Sequence, residues 1–311
     1  MNPAWSVIFF TTLAGAAQGL VVTLALSVLM GVAPGHGLFV QHALLVAAVL
    51  LLIGLGASFL HLGHPQRAWR AVLMWRTSWL SREVIVLPAF IGVVLLWWAL
   101  MISGRGTGWL PAVAVLAIAL AALLWWCTAM IYACLRFVQE WAHGLTLINF
   151  VLIGCSSGLI LAGALAAFAG YAWYARWLVL PTLGVTLLAW ATRTAALRRN
   201  AGLKPKSSAQ SATGIAAVRL RQMSMGMTGG SFNTREFFHG VGRLAMGRVR
   251  LALHVLCFGL PAGLVLAAKL SGHPKLMILA CMVQAVGLLA ERWLFFAQAR
   301  HPQNLYYQVV S

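Results

Sequence analysis

Apolar residues dominate this chain in eight long runs separated by shorter polar stretches. A helix needs roughly 20 apolar residues to cross the ~30 Å hydrocarbon core of a bilayer. Eight segments meet that requirement: residues 5–30, 42–60, 84–103, 109–135, 145–171, 177–197, 249–270 and 276–296. Because backbone N–H and C=O groups must pair internally in lipid, each segment is predicted to be helical. The predicted fold class is therefore all-α, a polytopic integral membrane protein with eight transmembrane helices.

The composition agrees with that class and excludes two others. Apolar residues make up 62% of the chain and charged residues only 8%, which is too few charges for the surface of a soluble domain. A net charge of +18 would suggest nucleic acid as a partner of a soluble chain. Here the cations lie between apolar runs, so we assign them to membrane topology and docking and expect no nucleic-acid partner.

We expect a single membrane-anchor domain over residues 1–311, with the lipid bilayer around it. The long sixth loop, at about residues 198–248, has two parts. Residues 204–213 are polar and Ser-rich and are predicted to be flexible. Residues 223–247 mix glycines with aromatic and charged residues, which is typical of an ordered surface segment.

Polar residues are concentrated on one side of the predicted bundle. An even number of helices puts both termini on the same side, together with the loops after the second, fourth and sixth helices. This terminal side holds or borders all four glutamates, most of the nine histidines and most of the 22 Lys and Arg residues. The positive-inside rule predicts that it faces the cytoplasm. The length of the sixth loop and any cations that dock a partner weaken that assignment.

Residues 58–88 contain the densest set of reactive side chains on the terminal side. His61 ends the second predicted helix, and Glu83 begins the third. The segment between them can fold back, so both side chains can line one pocket at the membrane surface. Each could accept a proton that a quinol releases, and an ionisable residue at a membrane helix is a functional candidate. The structural alternatives are that Ser81 caps the third helix with Glu83 in its first turn, and that His61 bonds to backbone.

Basic side chains flank these two residues in the sequence. Arg67, Arg70, Arg76 and Arg82 could hold a quinone carbonyl, an acidic partner surface or lipid phosphates. Arg82 could also simply balance the charge of Glu83. Two histidines complete the candidate set for quinol binding: His64 and His143.

Haem, metal and transport chemistry fit the sequence less well. A bis-His haem needs two histidines at matching depth on neighbouring helices, whereas His42 and His254 lie toward opposite sides. No clustered acid or thiol accompanies the histidines, so we expect no metal site. Transporters place charges or broken helices near mid-membrane, where we find little beyond Gln18 and Gln284. The remaining acids of the predicted membrane edge are interpreted as structural charges beside arginines: Glu140 near Arg136 and Glu291 near Arg292.

Four sequence motifs connect the chain to a known family. They are HLGHPQRAW at residues 61–69, SWLSREV at 78–84, GGSFNTREFFHG at 229–240 and ERWLFFAQARHPQNLYY at 291–307. Together with the eight predicted helices, they resemble the membrane-anchor subunit of dimethyl sulfoxide reductase, in the molybdoenzyme superfamily.

The resemblance implies a function in anaerobic respiration at the bacterial inner (cytoplasmic) membrane. Such a subunit would oxidise menaquinol, or ubiquinol, and hold no haem or metal itself. It would pass electrons to an iron–sulfur subunit with four 4Fe–4S clusters, which would feed a molybdopterin catalytic subunit that reduces an S- or N-oxide. The family's quinol-site histidine and glutamate map by motif onto His61 and Glu83.

The same resemblance makes residues 229–240 and the C-terminal tail docking or pocket-lid elements. The candidate docking residues are Arg235, Glu236, His239, Arg292 and Arg300. Two alternatives remain open. The chain could be a non-catalytic anchor, in which case removing residues 229–240 would release the partner and changes at Glu83 would do nothing. It could also be an eight-helix transporter, which the apolar mid-membrane region disfavours.

The quinol hypothesis makes a prediction for His61. Replacing His61 with Ala should abolish quinol-dependent turnover, because a proton acceptor is lost, while the complex still assembles. Quinol oxidation by the purified complex measures the first effect, and gel electrophoresis of the same preparation checks the assembly. Full quinol activity of the assembled variant would contradict the assignment.

Overall fold

The computed structural model describes residues 1–60, 62–104, 107–221, 223, 236–237, 239–302 and 304. Over these residues the chain is helical and contains no strand. Eight helices are long and apolar enough to cross a membrane, which confirms the predicted class. They are α1 (Trp5–Leu29), α2 (Leu38–Phe59), α3 (Trp79–Ser103), α4 (Leu110–Ala133), α5 (Gly144–Phe168), α6 (Ala172–Ala201), α8 (Arg243–Ser271) and α9 (Leu276–Ala297). A short helix, α7 (Ala209–Thr213), lies in the sixth loop.

Several helices begin earlier than the hydropathy pattern predicts. Helices α2, α6 and α8 start four to six residues before the predicted apolar segments, because backbone hydrogen bonding continues beyond the lipid boundary. Helix α3 starts at Trp79, where the Ser78 hydroxyl accepts a hydrogen bond from the backbone N–H of Ser81 at 3.4 Å. The expectation that Ser81 caps this helix is therefore wrong, and Glu83 is its fifth residue.

Helices α1 and α5 form the centre of the bundle. Helix α1 packs against α2, α4, α5 and α9, and α5 packs against α1, α4, α6 and α9. The α1–α5 contact is closest at Gly19 and Gly158, where a Cβ on either glycine would overlap the backbone of the other helix. Small residues permit such an approach in membrane helices. Gly15, one turn earlier on α1, has no neighbour within 4 Å of a Cβ position.

Helix α8 contains a π-helical segment, Leu253–Gly259. Gly287 of α9 lies against the backbone of Cys257 in this segment. The Gln284 amide donates hydrogen bonds to the Cys257 carbonyl oxygen at 3.2 Å and to the Ser156 hydroxyl at 3.1 Å. This mid-membrane glutamine therefore joins α9 to α8 and α5.

The start of α1 and the end of α9 meet at one end of the bundle, which we call the terminal end. The Met1 amino group donates hydrogen bonds to the carbonyl oxygens of Ala297 at 3.2 Å and Ala299 at 2.8 Å. The Trp141 indole N–H, from the loop between α4 and α5, donates to the Phe295 carbonyl oxygen at 2.9 Å. The membrane face to which this end belongs stays a prediction.

The α1–α5 contact generates a stability prediction. Gly158→Val should lower the apparent melting temperature of the purified protein, because overpacking against backbone that cannot rotate away costs about 1–3 kcal/mol or more. Gly92→Val is the matched control, since Gly92 is an exposed residue of α3 with no atom within 4 Å of a Cβ position. Equal melting temperatures for the two variants would contradict the central role of this contact.

Candidate functional site

Polar side chains from several helices lie at a similar depth below the terminal end. Glu83 is four residues from the start of α3, and Thr128 is five residues from the end of α4. Glu291 and Arg292 are six and five residues from the end of α9. At 1.5 Å per residue these positions are about 6–9 Å inside the helix ends. The bundle therefore has a polar layer at this end, below its loops.

Glu83 is buried in this layer, with 5% of its surface exposed. The Thr128 hydroxyl of α4 donates a hydrogen bond to Glu83 Oε1. Among the described residues, no Lys, Arg or His forms an ion pair with Glu83. A carboxyl group at such a position is expensive to bury without a cation. The single hydroxyl partner is therefore a distinctive feature of the site.

Arg82 does not balance the charge of Glu83, although the two are neighbours in sequence. Its guanidinium donates hydrogen bonds to the carbonyl oxygens of Trp75 at 2.9 Å and Arg76 at 2.8 Å. It also lies 4.1 Å from the centre of the Trp79 ring. Arg82 thus anchors the α2–α3 loop to the start of α3.

The other candidates of the α2–α3 loop lie on the surface. A 3₁₀ helix, Pro65–Met74, forms the middle of this loop. His64, Arg67, Arg70 and Arg76 are exposed, so none of them is buried beside the Glu83 carboxyl. Two of these arginines stack on neighbouring exposed tryptophans, at 5.6 Å and 5.4 Å from the ring centres. His61 lies outside the described residues, so its pairing with Glu83 stays a prediction.

A second buried group in the layer carries three charges. Arg193 of α6 lies 2.8 Å from Glu291, measured from Nε to Oε1, and Arg292 lies 3.1 Å from it, measured from Nε to Oε2. The three residues are 2%, 1% and 4% exposed, in the order Arg193, Glu291 and Arg292. The Arg292 guanidinium also lies 4.1 Å from the centre of the Phe150 ring. The expected pairing of Glu291 with Arg292 is confirmed.

Sequence reasoning missed Arg193. It falls inside the predicted apolar segment 177–197, and an arginine within a membrane segment usually pairs with another group. Its position inside the apolar segment could have indicated a buried ion pair. However, Arg198 and Arg199 follow soon after it in the sequence, so Arg193 resembled a cation at the membrane edge. The predicted neighbour of Glu140 was also wrong: Glu140 accepts a long hydrogen bond from the backbone N–H of Arg300, at 3.5 Å.

Two spaces adjoin the polar layer and share Phe150 and Arg292. The outer cleft holds about 350 Å³, including the part open to solvent. The inner cavity holds about 320 Å³, also including open space. The outer cleft is lined by Glu140, His143, Leu145, Thr146, Asn149, Phe150, Arg193, Ala196, Arg199, Asn200, Glu291, Arg292, Phe295 and Gln298. The inner cavity is lined by Phe10, Thr11, Ala14, Gly15, Gln18, Leu124, Trp125, Thr128, Phe150 and Arg292.

Comparison with known proteins identifies the family. A sequence model of the DMSO reductase anchor subunit (DmsC) family matches residues 1–240. The chain belongs to this family. It is 47% identical over 335 aligned positions to a sulfite dehydrogenase subunit of Allochromatium vinosum, with all of both chains covered. It is 34% identical over 122 positions to the anaerobic dimethyl sulfoxide reductase chain YnfH of Escherichia coli, which covers 37% of this chain and 41% of that protein.

The family membership confirms the resemblance drawn from the four motifs. The protein is a multi-pass membrane anchor subunit of a redox enzyme complex in the DMSO reductase family. Such a subunit works with electron-transfer and catalytic partners. Among the described residues, the layer around Glu83 and the charged group around Glu291 each bury a carboxyl group together with polar partners.

The candidate docking residues of the anchor subunit fall in different environments. Glu236 and Arg300 are exposed at the terminal end, and His239 is half-buried with its ring centre 6.0 Å from that of Trp293. Arg292 lies inside the bundle against Glu291, so it is not a surface group available to a partner. Arg235 lies outside the described residues.

Two histidines at this end, His239 and His301, have lowered pKa values. Burial lowers the pKa of His239, with a further contribution from the terminal amino group, and burial also lowers the pKa of His301. Both are therefore neutral at pH 7. His143 is exposed at the rim of the outer cleft, where its Nδ1 accepts a hydrogen bond from the backbone N–H of Leu145 at 3.1 Å and caps α5.

The histidine of α8, His254, also has a hydrogen-bond partner. His254 Nδ1 accepts a hydrogen bond from the Trp190 indole N–H at 2.9 Å. Within the described ranges, no three His, Cys, Asp or Glu residues are grouped so that they could hold a metal ion. The expectation that this subunit holds neither haem nor metal stays a prediction.

The buried charges of the anchor subunit generate a second stability prediction. Glu291→Gln should destabilise the protein by about 3–5 kcal/mol, because it leaves two buried arginines without their counter-ion. The apparent melting temperature of the purified protein measures the effect. Glu140→Gln is the matched control, since Glu140 is half-buried and its carboxylate accepts one long hydrogen bond from the described residues. A melting temperature as high as that of the control would mean that the ion pairs contribute little.

Proposed function

We propose that this anchor subunit exchanges electrons and protons between a membrane quinone and the soluble part of its complex, at a site that includes Glu83. The proposal rests on the burial of the Glu83 carboxyl in the polar layer, with the Thr128 hydroxyl as its hydrogen-bond partner. Interconversion of a quinone and a quinol moves two electrons and two protons. A carboxyl group near the end of the membrane helices can take or give each proton.

The structural explanations for Glu83 are weak. Ser78 already caps α3, so Glu83 is not needed for that role. The buried carboxylate of Glu291 has two arginines beside it, which is how a purely structural charge is stabilised in a bilayer. Glu83 has no such partner among the described residues. This contrast supports a chemical role for Glu83.

The relatives support one direction of electron flow over the other. Similarity over the whole of both chains to a sulfite dehydrogenase subunit favours quinone reduction. Sulfite and water would give sulfate, two protons and two electrons at the soluble partner. The electrons would pass to this subunit, where quinone and two protons form quinol. We propose this direction first, although the sequence motifs alone suggested quinol oxidation.

Quinol oxidation is the second candidate. The family description and the similarity to a dimethyl sulfoxide reductase chain favour it. Menaquinol or ubiquinol would then release two electrons and two protons, and an S- or N-oxide at the soluble partner would take up two electrons and two protons and lose its oxygen as water. The quinone site is the same in both directions. Both proposals include an iron–sulfur subunit with 4Fe–4S clusters, a molybdopterin catalytic subunit and a place in the bacterial inner membrane.

The test uses Glu83→Gln in the purified complex. Sulfite-dependent reduction of a short-chain naphthoquinone should fall by about 10²–10⁴-fold, the usual contribution of general acid–base catalysis. Sulfite oxidation with a soluble artificial acceptor should stay normal, because it bypasses the membrane site. The same complex should be tested for oxidation of the corresponding naphthoquinol with dimethyl sulfoxide, and the faster reaction identifies the direction.

Thr128 provides a second variant with a close control. Thr128→Val removes the hydroxyl that bonds Glu83 and should reduce quinone turnover. Thr23→Val removes an equally buried hydroxyl that bonds only the Gly19 carbonyl oxygen of its own helix, at 2.8 Å, and should not. Normal quinone turnover of the assembled Glu83→Gln complex would instead support the non-catalytic anchor.

A further inference from the structure

Besides Arg193 Nε, which is ion-paired with Glu291 Oε1, three buried polar atoms of residues that line the inner cavity or the outer cleft have no hydrogen-bond partner among the described residues. They are Trp125 Nε1, Glu291 Oε2 and Arg193 Nη2. Glu291 Oε2 is close to Arg292, but the two groups are not aligned for a hydrogen bond. Leaving such an atom unsatisfied is energetically costly. Buried polar groups in native proteins are usually paired, often with ordered water.

Water suits this set better than an ion does. Two of the atoms are donors and one is an acceptor, and water can serve both. The walls also carry the Gln18 amide, the Thr11 hydroxyl and the Arg292 guanidinium. A space with several polar partners is the kind that holds ordered water.

The inner cavity and the outer cleft are neighbours that share two lining residues, and the inner cavity adjoins the hydrogen-bond partner of Glu83. Thr128, which donates its hydroxyl hydrogen to Glu83, lines the inner cavity. Phe150 and Arg292 line both the inner cavity and the outer cleft. The outer cleft then reaches Glu140 and the exposed His143.

We propose that water in the inner cavity and the outer cleft carries protons between Glu83 and the terminal end of the bundle. This proposal rests on the proposed quinone function. Each quinone that accepts two electrons needs two protons, and each would reach it through the Glu83 carboxyl. The Thr128 hydroxyl can accept a hydrogen bond from water while donating its own to Glu83, so it can pass a proton along. Quinol oxidation would use the same route in reverse.

The charges beside the route influence how protons move along it. Arg193 and Arg292 carry two positive charges, and Glu291 carries one negative charge, so the buried group has one excess positive charge. This charge opposes a hydronium ion next to Arg292. In the part of the route next to Arg292, a hydroxide-like proton vacancy is therefore favoured over a hydronium ion. The vacancy travels in the direction opposite to the protons. Glu140 at the outer cleft supplies an acceptor near its mouth.

Gly15 offers a way to block the route without removing a polar group. It lines the inner cavity, and a Cβ at this position meets nothing within 4 Å. Gly15→Val should therefore place methyl groups in the cavity without displacing neighbouring atoms. Gly184→Val is the matched control, because Gly184 is an exposed residue of α6 whose Cβ position is equally open.

The experiment measures naphthoquinone turnover by the purified complex in H₂O and in D₂O. In Gly15→Val, kcat should fall by about tenfold, which corresponds to a barrier higher by about 1.4 kcal/mol. The solvent isotope effect should increase, because proton delivery becomes rate-limiting, and the KM for the naphthoquinone should stay constant. Gly184→Val should leave all three quantities unchanged, and both variants should oxidise sulfite normally with a soluble acceptor.

Other outcomes overturn the proton route. An unchanged kcat and isotope effect in assembled Gly15→Val would exclude it, while loss of activity in Glu83→Gln would still support the quinone site. A raised KM with an unchanged isotope effect would show instead that the quinone ring occupies the cavity. If Gly15→Val does not assemble, Gln18→Leu replaces it, since it removes a polar group from the same cavity. Gln18→Leu is expected to give the same fall in kcat and the same rise in isotope effect, and wild-type values would overturn the route.

Discussion

The close contact between α1 and α5 at Gly19 and Gly158 determines where the polar side chains of this protein meet. It lets two central helices approach backbone to backbone, and the other helices pack around them. Gln18 of α1 and Phe150 of α5 then line the same inner cavity as Thr128 of α4. Larger side chains at these two positions would move α1 and α5 apart, and with them the residues that line the inner cavity.

The two buried carboxyl groups of the layer illustrate opposite solutions to one problem. A carboxylate inside a membrane protein must be paired or must be able to become neutral. Glu291 lies between two arginines, and its ion pair with Arg193 joins α6 to α9. Glu83 instead accepts a hydrogen bond from the neutral Thr128 hydroxyl and has no ion-pair partner among the described residues. The difference suits a structural role for Glu291 and a proton-exchanging role for Glu83.

Relatives of this chain include subunits named for sulfite oxidation and for dimethyl sulfoxide reduction. A quinone site near the soluble partners is compatible with both, because a quinone and a quinol differ by two electrons and two protons whichever way they flow. The direction is decided by the redox potential of the soluble substrate and not by the membrane helices. One anchor architecture could therefore serve opposite reactions.

The sequence by itself determined the number of membrane helices, their helical nature and the family, because the need to pair backbone groups in lipid leaves a long apolar run no other structure. It also singled out Glu83, since acids are so rare in this chain. Only the tertiary structure decided that Thr128 bonds Glu83, that Arg82 turns away toward the α2–α3 loop, and that Arg193 joins Glu291. These contacts depend on how each helix is rotated about its axis. A helix that is apolar on all sides carries little pattern that indicates which face is inward, so the neighbours of its few polar residues emerge only when the helices pack.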